Sequence, residues 1–162
     1  MEAKIRQNQD ILKISGKALI ILGLWTIIRI FLLKFLDPEL LNSFLAFPTS
    51  EYFDASSYDS MFVFVIVVLV VDLIFRFVIG GMAISEGNGK KRSVVYIILA
   101  ILYTISSLGG NAFVVINLSE DVSVLTPLSS VLIDLTSCLA LIAIIVSSIS
   151  IRVLMKKAEK TE

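Results

Sequence analysis

MFVFVIVVLVVDLIFRFVIGGMAIS, Met61 to Ser85, is apolar almost throughout and carries Asp72 and Arg76 near its middle. As a helix, a segment of about 25 residues rises roughly 37 Å, enough to cross a hydrocarbon core of about 30 Å with some tilt. Asp72 then falls close to the midplane. An ionisable side chain at that depth is costly and is by default a candidate functional group.

The rest of the chain follows from that segment. It has 162 residues, 57% of them hydrophobic, against roughly 45–50% apolar content in soluble domains, and its mean hydropathy is +0.93. The apolar residues come in runs. Three further segments match the first in character, and together they place spans at about 14–36, 61–85, 93–117 and 129–155, within a single domain covering 1–162. The first span is too long for a signal-peptide core and no small-residue cleavage site follows it, so it is read as retained.

Between the first two spans, Asp37-Pro38 has the form of a helix start, with Asp37 as N-cap and proline at the first helical position. Leu40, Leu41, Phe44 and Leu45 recur at one-turn spacing until Pro48, which gives a short amphipathic helix along the outer membrane surface. The remainder of that connection, with Tyr52, Phe53 and Tyr58, reads as a loop suited to the interfacial aromatic belt. Residues 118–128 read as a second outer loop, acidic and ended by Pro127. The expected fold is an all-α bundle of four transmembrane helices, antiparallel and up-and-down, with that small helix on the outer face.

Charge sets the orientation. The 14 basic and 14 acidic residues cancel, so no global field points to nucleic acid. All the Lys and Arg residues except Arg29, Lys34 and Arg76 lie in the N-terminal segment, at Lys90 to Arg92, or at the C-terminal end. Positive residues mark cytoplasmic loops, so both termini are expected in the cytoplasm, and the short loops fit a bacterial inner membrane.

Four charges remain inside the spans: Arg29, Asp72, Arg76 and Asp134. They sum to zero. Asp72 and Arg76 are four apart with the acid first, the favourable order for a helical pair. Arg29 and Asp134 each lie seven residues from the outer end of their spans, about 10 Å deep, so they are level and can pair between the first and fourth helices. On the third span, Ala100, Thr104, Ser107 and Asn111 share one small or polar face, which points at protein. Ser137 and Cys138 accompany Asp134 on the fourth span. Gly16 and Gly23 offer close helix approach, and Gly109-Gly110 a bend or a close crossing. The pattern Asp72-x-x-x-Arg76-x-x-x-Gly80, followed by Ala83 and Glu86-Gly87, has the look of a motif.

Function classes narrow by what is missing. The chain has no histidine and one cysteine, Cys138. That removes disulfides, Cys/His zinc sites and every catalytic scheme that needs imidazole. No catalytic residue, metal or cofactor is expected. The reading is a non-enzymatic membrane protein that works through helix–helix association, as an accessory or regulatory subunit or as a homo-oligomer, with the lipid bilayer and another membrane protein or a second copy as partners. The alternative is a small ion or solute channel or transporter using Asp72, Arg76, Arg29 and Asp134, with Thr104, Ser107, Asn111 and Ser137 lining a polar path. A carboxylate already committed to an arginine on its own helix is a poor proton carrier, which argues against simple proton exchange. A membrane enzyme acting on lipid would need paired groups at the interface. Glu86 and Asp37 lie there, but no motif joins them.

Overall fold

In a computed structural model, residues 2–36, 55–90, 94–116 and 125–159 are described. They form four helices: α1 (Glu2–Leu36), α2 (Ala55–Gly87), α3 (Val95–Ile116) and α4 (Leu125–Ala158). No strand occurs among the described residues. Three helices, α1, α2 and α4, are long and apolar enough to cross a membrane, and the described apolar stretch of α3, Val95–Gly109, is shorter. At 1.5 Å per residue, α1, α2 and α4 are each about 50 Å long and extend past a hydrocarbon core of about 30 Å.

The helix bounds differ from the sequence reading at several ends. The polar lead-in before Ile14 is helical from Glu2. Residues 55–60, read as loop, belong to the first turns of α2, and Glu86, read as part of the inner turn, belongs to its last. At the other outer connection, α4 begins at Leu125, so Pro127 falls inside its first turn instead of ending a loop. A proline is tolerated there because the N–H it lacks has no intrahelical acceptor. The amphipathic helix expected around Leu40 to Leu45 lies outside the described residues.

α2 ends in a tight reversal. Asn88 and Lys90 N–H groups donate to the Ile84 and Ser85 carbonyls at 3.0 and 3.2 Å, and Gly89 N–H donates to the Glu86 carbonyl at 2.9 Å. Gly89 has φ 81°, the left-handed backbone that closes a helix end and that glycine adopts without a steric penalty.

Each helix buries one stripe. On α1 the buried residues are Leu12, Gly16, Leu19, Gly23 and Ile30, spaced by three, four or seven as one helical face requires. On α2 the buried residues include Arg76, Ile79, Gly80, Ala83, Glu86 and Gly87, and the glycines of the two helices meet across this face. The closest approach is between glycines: a Cβ on Gly16 would stand 2.7 Å from the Gly80 carbonyl oxygen, and a Cβ on Gly80 would stand 2.7 Å from that of Gly16. Gly23 lies against Arg76 and Leu73, and Gly87 against Gln9 and Lys13. Gly109 differs, since a Cβ there meets nothing within 4 Å. A close crossing at Gly109, one of the two expectations for that pair, is therefore not what the structure has.

α1 packs along both α2 and α4, and α3 lies mainly on α4, while α2 and α3 touch at few points. The core joins Leu12 and Leu19 of α1, Ile79 and Ala83 of α2, Tyr96, Ile97 and Ala100 of α3, and Leu141, Ile144 and Ile151 of α4. Burial is uneven along the bundle. On α2 no residue from Phe62 to Phe75 is buried, on α4 none from Leu132 to Thr136, and on α3 none of 105–109. Among the described residues, burial on α2, α3 and α4 is concentrated from the level of Arg76 to that of Gly87, and on α1 Ile30 is buried beyond it.

Outside the core the surface is aliphatic and aromatic: Phe64, Val67, Ile74, Ile105, Leu132 and Leu139 all stand well exposed. In water so continuous an apolar surface would drive aggregation, whereas lipid chains solvate it. These apolar helices point to a membrane location.

Candidate functional site

Arg76 is the centre of the polar interior. Its position on α2, one turn after Asp72 and one turn before Gly80, sets the guanidinium in the bundle with 4% of its side chain exposed. Nε donates to Asp72 Oδ2 at 2.7 Å. Nη1 donates to Ser137 Oγ on α4, also at 2.7 Å. Nη2 stands 3.6 Å from Asp134 Oδ1, again on α4. The Tyr103 hydroxyl, from α3, donates to the other oxygen of Asp72, and the Arg76 guanidinium lies 5.7 Å from the Tyr103 ring centre, within range of a cation–π contact. One arginine thus draws together three helices, with α1 passing behind it at Gly23.

A guanidinium removed from water is very costly unless its donors are taken up and its charge is balanced. Here two carboxylates balance it, and three of its nitrogens face oxygen. Both acids keep partial exposure, 27% for Asp72 and 34% for Asp134, on the loosely packed side of the cluster. Arg29 on α1 lies near enough for its charge to attract Asp134, so Asp134 feels both arginines.

The small polar residues are placed differently from one another. Ser137 accepts from Arg76 and donates to the Ile133 carbonyl at 3.0 Å. Thr104 is buried and donates to the Ala100 carbonyl of its own helix at 2.7 Å. Thr26 and Thr136 likewise donate to the carbonyl four residues back, the usual way a hydroxyl is satisfied where no water reaches it. Ser107 lies 3.5 Å from the sulfur of the buried Cys138. Asn111 lies on α3, with its side chain outside the described residues. Trp25 is half exposed on the outer surface of α1.

A second polar cluster sits at the opposite end of the core, and the sequence reading did not find it. Glu86 of α2 has 7% of its side chain exposed. It accepts from the Tyr96 hydroxyl of α3, from Ser148 of α4 at 3.0 Å, and from Arg152 of α4 at 3.1 Å. Tyr96 and Ser148 also hydrogen-bond each other at 2.8 Å. Two signals were available in the sequence. Ser148 and Arg152 are one turn apart on one face of α4, and Tyr96 and Tyr103 are seven apart on one face of α3. Reading Glu86 as part of a turn hid its partnership with both.

Arg76 and Glu86 are ten residues apart on α2, which separates the clusters by about 15 Å. The layer between them, with Leu19, Ile79, Ala83, Ala100, Leu141 and Ile144, is apolar and buried. Among the described residues no group of three or more His, Cys, Asp or Glu side chains is arranged to hold a metal ion. Comparison of the chain with protein-family models, with curated proteins and with solved structures gives no match in any of the three.

Proposed function

We propose that this chain is a non-enzymatic, multi-pass membrane subunit that acts by helix–helix association, as an accessory or regulatory component or as a homo-oligomer, and that its intramembrane charges are structural. The observation that carries this reading is the saturation of Arg76: Asp72, Asp134, Ser137 and the Tyr103 ring take up its charge and donors inside one chain.

The topology proposed with it is an antiparallel, up-and-down bundle of four spans with both termini cytoplasmic. Support for antiparallel α1 and α2 comes from their contacts in sequence: Gly87 against Gln9 and Lys13, Gly80 against Gly16, Leu73 against Gly23, and Lys34 over the Phe62 ring at 3.7 Å. One series rises as the other falls. Orientation rests on the basic residues at the Gly87 end, and a bacterial inner membrane fits the short connections.

Native mass spectrometry of the protein extracted gently from its host membrane tests association. A defined homo-oligomer or a complex with a second protein is the expected result, and a lone monomer contradicts it.

One observation favours the alternative of a small channel or transporter. Asp72 and Asp134 are partly exposed on the side where the helices are loosely joined, so a hydrated path would reach them from that end. Solute or cation flux into proteoliposomes that is abolished by Asp72→Asn, in protein that remains folded, would establish this reading over the structural one.

A further inference from the structure

The packing of α3 is one-sided. It lies along α4, where Ala100, Ile97 and Tyr96 join the core and Ser107 meets Cys138, but its backbone comes near α2 at few points. Two tyrosines cross that seam. Tyr96 donates to Glu86 and Tyr103 donates to Asp72, both tyrosines from α3 and both carboxylates from α2. The two tyrosines are seven residues apart and so share a face. A phenol reaches further from its backbone than any aliphatic side chain here, so each bridges a gap that close helix packing does not fill.

The two attachments differ. Tyr96 is fully buried, within a cluster that also holds Ser148 and Arg152, at the tightly packed end. Tyr103 is half-buried at the level where packing thins, and beyond it α3 has no buried residue among 105–109. One end of α3 is thus fixed by several bonds, and at the level of the charged cluster Tyr103 ties it to Asp72 and Arg76 of α2.

We infer that α3 is a movable flank of the bundle, seated on α4, anchored through Tyr96 and latched to α2 by Tyr103, so that release of the Tyr103–Asp72 bond opens the α2–α3 seam onto Arg76. Opening would bring the guanidinium and both carboxylates to the lipid-facing side, where a polar group of a neighbouring helix or an amphiphile can meet them. The latch does not depend on the association reading, because it belongs to a single copy and is measured on one.

Distances between spin labels in nanodiscs loaded with one copy each provide the test. In a Cys138→Ala background, Val68→Cys with Ile105→Cys spans the seam, and Ile105→Cys with Leu139→Cys spans the α3–α4 contact. All three label sites are exposed. Tyr103→Phe is expected to lengthen and broaden the first distribution and leave the second unchanged. An unchanged first distribution overturns the latch, and so does an equal broadening of both, which would mean general loosening.

Discussion

At the scale of single residues, the contact of Gly16 with Gly80 and the pairing of Arg76 make the sharpest predictions. Either glycine replaced by alanine gains about 1 kcal/mol of helix propensity, yet the added methyl would stand 2.7 Å from a carbonyl oxygen of the other helix. Backbone cannot rotate aside as a flexible side chain does, so overpacking of about 1–3 kcal/mol should dominate. Gly81 and Gly109 are the controls, since a Cβ at either meets nothing within 4 Å. Thermal unfolding in detergent should show Gly16→Ala and Gly80→Ala below the unsubstituted protein, and Gly81→Ala and Gly109→Ala at or slightly above it. Arg76→Met makes a larger change. It leaves Asp72 and Asp134 without their shared counter-charge, and breaking a buried pair from one side is worth about 3–5 kcal/mol of destabilisation. Denaturant unfolding of the purified variant measures it.

Much of this was legible residue by residue. Four-residue spacing gives the Asp72–Arg76 contact because it is set within one helix. Gly16 and Gly23 stand out because glycine in an apolar helix has few other uses. The partners of Arg76 across helices were harder to read. Depth places Asp134 level with Arg29, but depth does not fix rotation about the helix axis, so it does not show that Asp134 also stands 3.6 Å from Arg76. Tyr103 carries no charge and stood in an apolar run, so nothing in the pattern marked it as the donor to Asp72.

At the scale of elements, the Glu86 cluster binds the ends of α2, α3 and α4 as the Arg76 cluster binds their middles. Its members should rank by what each leaves behind. Tyr96→Phe removes one donor while Ser148 and Arg152 still serve Glu86, which points to about 1–3 kcal/mol. Glu86→Ala removes at once the acceptor shared by Tyr96, Ser148 and Arg152, so a larger loss than that of Tyr96→Phe is expected. Equilibrium unfolding of both variants gives the order, and equal losses would show that the cluster does not centre on Glu86. The sequence could not supply this element-level view, because a helix end is the least determinate part of an apolar segment. Once α2 is extended through Gly87, Glu86 falls on the stripe of Ile79 and Ala83, facing the core, and its role becomes plain.

At the scale of the whole molecule, two polar clusters about 15 Å apart along α2 join α2, α3 and α4 on either side of one apolar layer, to which α1 adds Leu19. Among the described residues, burial is concentrated toward the Gly87 end. Composition, run length and the distribution of Lys and Arg were enough to read a helical membrane protein, because lipid leaves a spanning chain few backbone options. They say little about what the bundle joins, since lipid-facing and partner-facing surfaces are equally apolar. If the charges serve the bundle itself, apolar side chains of similar size should replace them without loss of association, as buried ionic groups can be exchanged for well-packed apolar ones. The variant Asp72→Leu, Arg76→Met, Asp134→Leu removes the cluster at once, and its native mass after gentle extraction is the measurement to make. The expected result is the same defined complex as the unsubstituted chain forms. A folded variant that has lost its complex would contradict it, and would show that these charges are read by something beyond the chain that carries them.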